Sequence, residues 1–141
     1  MTDLEKMNVA LSEAKKSLRK KQIPVGVAIF YKDKLLVKSH NKKIKRKIFN
    51  HAEMIALSKL KRKYTNLKYV NDLELYVTME PCLMCYGAIK DFRIKKLFFS
   101  IYNNNVGFSK YVEIEKDIFI KSGLLSEESK KLLSSFFKEK R

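Results

Sequence analysis

Apolar residues near the start of the chain recur at Leu4, Met7, Leu11, Ala14 and Leu18, in alternating steps of three and four. That spacing predicts one buried face of an α-helix. Thr2-Asp3-Leu4-Glu5 fits a capping box in front of it, with the Thr hydroxyl on an orphan amide and the Glu reaching back. The helix runs to about Lys20, and Pro24 stops it. The pattern then changes. Val25 to Tyr31 is almost wholly apolar and reads as a buried strand, and Lys32-Asp33-Lys34 turns it into a hairpin partner at Leu35-Leu36-Val37. A basic loop from Asn41 to Lys47 precedes a helix from His51 to about Lys63, with Ala52, Ile55, Ala56 and Leu60 inward.

Leu73 to Thr78 reads as a strand. Pro81 opens the next helix in its first turn, where a missing N–H does no harm. Leu97 to Ile101 is a further strand, broken by Asn103-Asn104-Asn105. Two readings stay open over residues 111–125: a short helix at Val112 to Asp117 and a strand at Ile118 to Ile120. Ser126 caps a last helix whose inner face is Leu132, Leu133 and Phe136, with Phe137 at its margin. An early hairpin followed by strand–helix alternation predicts an α/β fold, a three-layer domain with a mixed sheet. There is no repeat and no linker, so residues 1–141 read as one domain.

Composition narrows the class. With 9 Phe, 7 Tyr and 45% hydrophobic residues the chain can bury a real core, and 4 Gly with 2 Pro exclude a low-complexity protein. No apolar run approaches the roughly 18 residues of a membrane helix. The polar start, Met1-Thr2-Asp3-Leu4-Glu5-Lys6, is unlike a secretory signal, so the expectation is a cytoplasmic protein with no membrane partner. The 31 basic and 15 acidic residues leave a net charge of +16, which suits a polyanionic partner. Of the basic residues 26 are Lys, so an AT-rich coding bias is the competing explanation.

The chemistry sits in few residues. The chain has two cysteines, in Cys82-x-x-Cys85, and two histidines, His40 and His51, which excludes a Cys₄ zinc site. Cys-x-x-Cys alone is compatible with zinc or with a redox pair of the thioredoxin type. His51-Ala52-Glu53 and Pro81-Cys82-Leu83-Met84-Cys85 each begin a helix, where free amides and partial positive charge favour thiolates. His51, Cys82 and Cys85 supply three ligands for Zn²⁺ and leave the fourth tetrahedral position open, as in catalytic zinc sites. Glu53 is then free to move protons. H-x-E followed by P-C-x-x-C is the general signature of zinc-dependent base deaminases. A closed site would need His40, whose place at a strand end suits a surface or loop role instead.

Over its whole length the chain resembles the bacterial tRNA-specific adenosine deaminases of the cytidine deaminase-like superfamily. Ile23-Pro24-Val25-Gly26, His40-Asn41, His51-Ala52-Glu53, Leu75 through Ile89, Arg93-Ile94 and Phe136-Phe137-Lys138 carry the resemblance. It implies a three-layer α/β/α fold with a mixed five-stranded sheet, a homodimer, and hydrolytic conversion of the wobble adenosine of a tRNA anticodon loop to inosine. It also implies that Asn41 bonds the flipped base through donor and acceptor atoms. Pro24, Val25 and the backbone of Ala52 would wall the pocket, and Phe136, Phe137, Lys138, Lys140 and Arg141 would border the RNA. The chain departs from the family at Ile48-Phe49-Asn50, where a Pro-Thr-Ala run is usual, and at Asn103, which takes the place of an Asp before a trimmed loop. A neutral Asn there removes a repulsion toward phosphate. The rivals are a deaminase of a free base or nucleotide and a non-catalytic, zinc-stabilised RNA-binding protein.

Overall fold

The computed structural model describes residues 1–42, 51–65 and 71–139. Its elements are helix α1 (Asp3–Arg19), strands β1 (Gly26–Tyr31) and β2 (Lys34–His40), helix α2 (Ala52–Lys63), strand β3 (Leu73–Met79), helix α3 (Leu83–Asp91), strand β4 (Lys96–Ile101), strand β5 (Phe119–Ser122) and helix α4 (Ser126–Glu139). A single 3₁₀ turn, Phe108–Lys110, precedes β5.

The five strands form one mixed sheet in the order β2-β1-β3-β4-β5. β1 pairs antiparallel with β2 and β3, whereas β3, β4 and β5 run parallel. Strand alternation divides the core. Val27, Ile29, Leu75, Val77, Leu97 and Phe99 point to the α2–α3 face, where Ala56, Leu60 and Ile89 meet them. Ala28, Phe30, Tyr76 and Phe98 point to the other face and pack on Met7 and Ala10 of α1. Tyr76 stacks on Phe98 with ring centroids 4.3 Å apart, worth about 0.5–1.5 kcal/mol beyond burial. The three predicted layers are therefore present, with α4 beside α1. Gly26 is required where α1 crosses β1: an added Cβ would lie 1.9 Å from the Ala10 carbonyl oxygen.

The capping box forms as predicted, with Thr2 Oγ1 accepting from Glu5 N–H and Glu5 Oε1 from Thr2 N–H, each at 3.1 Å. Four expectations shift. Leu4 is exposed, and the buried face of α1 instead includes Lys6, Glu13 and Ser17. Lys6 reaches Glu74 and the Lys32 carbonyl at 2.7 Å each, so its charge is buried with partners. Val112 to Asp117 is turn and irregular chain rather than helix; the strand reading holds, one residue later, at Phe119. Ser126 is the first helical residue of α4, not its cap, and Phe137 faces solvent while Phe136 is buried.

Candidate metal and base site

The C-terminal ends of β2 and β3, the start of β1 and the N-termini of α2 and α3 converge at one end of the sheet. This is where open α/β sheets place ligands. The two N-caps are unusual: they are His51 and Cys82 rather than Ser, Thr, Asp or Asn, and neither side chain caps its helix. Both turn toward each other instead. His51 Nδ1 lies 3.7 Å from Cys82 Sγ and 3.4 Å from Cys85 Sγ. Pro81 sits one residue before the Cys82 cap rather than in the first turn, and Cys82 itself bridges to Gly107.

The three donor atoms lie within 4.8 Å of one another, and no other such group of His, Cys, Asp and Glu occurs among the described residues. Tetrahedral zinc with Zn–S of about 2.3 Å and Zn–N of about 2.0–2.1 Å requires S···N separations of about 3.6 Å. The observed pair brackets that value, so two sulfurs and one imidazole fit zinc in chemistry and in spacing. His40 is not a fourth ligand. Contrary to a surface or loop role, it is buried, with Nδ1 3.1 Å from Glu13 Oε1.

Charge is already organised here. Hydrogen bonding from Cys85, then from His51, pulls the Cys82 thiol down to about 4. The same pairing with Cys82, together with burial, pushes the Cys85 thiol up. Hydrogen bonding to Cys82 raises His51 above its ordinary value against burial. A bound dication would hold both sulfurs as thiolates. Glu53 is 5% exposed. Burial, its largest influence, pushes its carboxyl up to about 7, while its own backbone amide and His51 oppose that rise. The N-terminal turn of α2 therefore holds a desolvated acid beside the ligands.

His51, Glu53 and Cys82 line a cavity of about 210 Å³ with Asn41, Val25 and Ala52. That is smaller than the roughly 300–1,000 Å³ of ordinary ligand pockets, a scale suited to a single base. Asn41 is locked in place: its N–H donates to the Val25 carbonyl at 3.2 Å, and its carbonyl accepts from Ser17 Oγ at 2.8 Å. Its Oδ1 accepts from Val25 N–H at 3.3 Å. That bond fixes the orientation of the amide, whose N–H groups and second Oδ1 lone pair remain for further bonds. Pro24 is buried behind the wall and does not line the cavity.

Asn103 does reach the cavity. Its Oδ1 accepts from Asn105 N–H and Val106 N–H, each at 3.2 Å, so the side chain organises its own turn. A carboxylate could make the same two bonds. None of Phe136, Phe137 and Lys138 lines the cavity; Phe136 is buried and so cannot border RNA, whereas Phe137 and Lys138 are exposed on α4. Lys140 and Arg141, and the basic stretch Lys43 to Lys47 with Ile48-Phe49-Asn50, lie outside the described residues.

The sequence reading missed Glu80. It is 3% exposed and directly precedes Pro81. Its Oε1 accepts from Asn103 N–H at 3.1 Å and its Oε2 from Ser109 N–H at 3.0 Å, tying the 103–109 loop to the cysteine turn. Its position at a strand end beside the metal motif was the available signal. Ile23, Met79 and Val106, also missed, supply the apolar part of the lining.

Comparison with known proteins agrees with this geometry. The model of the cytidine and deoxycytidylate deaminase zinc-binding region matches residues 1–101. The tRNA-specific adenosine deaminase of Rickettsia typhi is 36% identical, over 96% of this chain and 97% of its own. A solved chain from studies of A-to-I editing by tRNA:A34 deaminases at the wobble position of transfer RNA superposes with a TM-score of 0.80 at 25% identity, covering 92% of this chain and 99% of that one. A guanine deaminase from Nitrosomonas europaea shares the fold, with a TM-score of 0.81 at 24% identity over 96% of this chain and 84% of its own.

Proposed function

The chain belongs to the zinc-binding cytidine and deoxycytidylate deaminase family, alongside its tRNA-specific adenosine deaminases, and we propose that it converts the wobble adenosine of a tRNA anticodon loop to inosine, with residues 1–141 acting as one domain. The observation that carries this reading is the juxtaposition of His51, Cys82 and Cys85 with buried Glu53 around a base-sized cavity. Zinc held by His51, Cys82 and Cys85 supplies Lewis acidity and brings the pKa of a water down to about 7.

The chain's own groups do the rest. Ile23, Val25, Met79 and Val106 give the extruded base an apolar seat, and the Asn41 amide N–H groups bond its edge. The Glu53 carboxylate takes a proton from the attacking water and delivers it to the ring nitrogen beside the reacting carbon. A C–O bond forms at C6 of the purine. Glu53 then carries the second water proton to the exocyclic nitrogen, the C–N bond breaks, and ammonia leaves. Adenosine and water become inosine and ammonia, with no oxidant or reductant needed. Burial of Glu53 suits it to this shuttling, because a general acid–base works best with a pKa near the operating pH.

The surplus of 31 basic over 15 acidic residues supports an RNA substrate. A homodimer and a cytoplasmic location complete the proposal; no helix among the described residues is long and apolar enough to cross a membrane. Incubating the zinc-loaded protein with total tRNA and sequencing for adenosine-to-inosine changes tests the function. A single changed position at the wobble adenosine is expected. Turnover of free guanine, cytosine or deoxycytidylate with no change in tRNA would contradict it and favour the free-base reading.

A further inference from the structure

β2 is an outer strand of the sheet, and α2 packs along it. The two elements meet at the base site, where Ser39 Oγ donates to the Ala52 carbonyl at 2.6 Å. Farther along they open into a second cavity, a groove of about 560 Å³. Leu36 and Val37 contribute its apolar surface, and Lys38, Lys59, Arg62 and Lys63 contribute its charge. No carboxylate lines this groove among the described residues. None of the four cations is paired with an acid among the described residues.

The Lys59 and Lys63 ammonium groups are held rather than trailing in solvent. Lys59 Nζ donates to the Lys38 carbonyl at 2.9 Å, and Lys63 Nζ to the Leu36 carbonyl at 3.4 Å. These bonds cover outward carbonyls of an edge strand, which guards it against pairing with another chain. An ammonium has three N–H donors, so each lysine keeps donors for an anion. Lys59 also feels a charge next to the base site. Burial first, and then the neighbouring charge of Lys42, hold Lys59 below its ordinary value; Glu13 opposes this, and Arg62 and Lys16 add to it. Lys42 directly follows Asn41 of the base cavity.

We propose that the α2–β2 groove binds the phosphodiester backbone of the RNA whose base occupies the His51–Glu53 cavity. The identity of that RNA as tRNA rests on the function proposed above; the groove's affinity for RNA phosphates rests on its own cations. Lys59 and Lys63 lie about 12 and 18 Å from His51 along the helix, at 1.5 Å per residue. The groove therefore engages the strand several nucleotides from the reacting base. The described residues that line it include no aromatic ring, so they contribute position rather than sequence reading.

Two variants test this: the triple K59Q/R62Q/K63Q, and the double K38Q/R62Q, which touches neither backbone-bonded lysine. Binding is measured to unmodified tRNA and to a plain RNA duplex without a loop, across a salt series, with turnover followed against tRNA concentration. The triple variant is expected to lose about tenfold or more in affinity for both RNAs near physiological salt. Its slope of log affinity against log salt should fall by about 2 to 3, and that of the double by about 1 to 2. The loss should appear as a raised KM for tRNA. If the triple fails to fold, the double decides. Unchanged slopes in a folded variant overturn the groove, while wild-type inosine formation would leave the function standing. A wild type that modifies no tRNA, with duplex binding still lost in the variants, refutes the function and leaves the groove.

Discussion

Replacing Gly107 with alanine tests whether the loop over the base site is held by the Glu80 carboxylate. The added Cβ would lie 2.1 Å from Glu80 Oε1, 2.5 Å from its Cδ and 2.6 Å from the Asn103 carbonyl oxygen. A carboxylate end can often swing away, but this one is buried and bonded to two backbone amides. The third neighbour is backbone, and Gly107 N–H itself donates to that same Asn103 carbonyl at 2.9 Å. Something must therefore break. Overpacking costs about 1–3 kcal/mol, and losing one hydrogen bond to a charged group about 1.5–3 kcal/mol. A loss of about 3 kcal/mol is expected, which for a chain of this size lowers Tm by roughly 10 °C. Thermal unfolding of the zinc-loaded protein measures it. Because Asn103 and Val106 line the cavity, inosine formation should fall in the same variant at temperatures where it remains folded. A Tm within about 1 °C of wild type would refute the tethering of this loop by Glu80.

Cys85→Ala should bind well below one zinc per chain and unfold more easily, because binding energy at a metal site is also folding energy; full zinc content by metal analysis would remove Cys85 from the ligand set. Glu74→Gln should destabilise the fold by about 3 kcal/mol in urea, because it leaves the buried Lys6 ammonium without its closest carboxylate; a loss under about 1 kcal/mol would show that the Lys32 carbonyl and Asp33 suffice. Acid should weaken the protein partly through His40 and Glu13. Burial, opposed by Glu13, lowers His40 in the folded state, and Glu13 is lowered too, by Lys16 and His40 against its own burial. Both signs agree: this stability is present above the unfolded values of about 6.5 and 4.3 and is lost as pH falls toward the folded ones. His40→Gln should flatten the decline of Tm between pH 7 and 5, and an unchanged decline would contradict that assignment.

The site was legible because it is chemically narrow. With two cysteines and one histidine at a suitable spacing, the ligand set left little choice, and the positions at helix starts followed from periodicity. The helix–strand order was legible for the same reason. What escaped depends on distant partners. Lys6 and Glu13 look like solvent-facing residues of an amphipathic helix until Glu74 and His40 arrive from other elements. The bond that fixes the Asn41 side chain comes from Val25 N–H, 16 residues away. β5 alternates exposed and half-buried residues at the sheet edge, so its hydrophobic signal is weak and its start was misplaced by one residue. Glu80 shows the limit most clearly, since its two amide partners lie 23 and 29 residues away.

The central claim is that Glu53 moves the protons of a zinc-dependent deamination, and Glu53→Gln tests it most directly. The substitution is nearly isosteric and spares His51, Cys82 and Cys85, so zinc content and tRNA affinity should match wild type. A neutral amide cannot accept and release protons at these pKa values, and loss of a general acid–base costs about 10²–10⁴ in rate. Single-turnover inosine formation, measured on the same preparation as zinc content and tRNA affinity, should fall by at least that range. Turnover near the wild-type rate, with zinc and tRNA still bound, would contradict the mechanism.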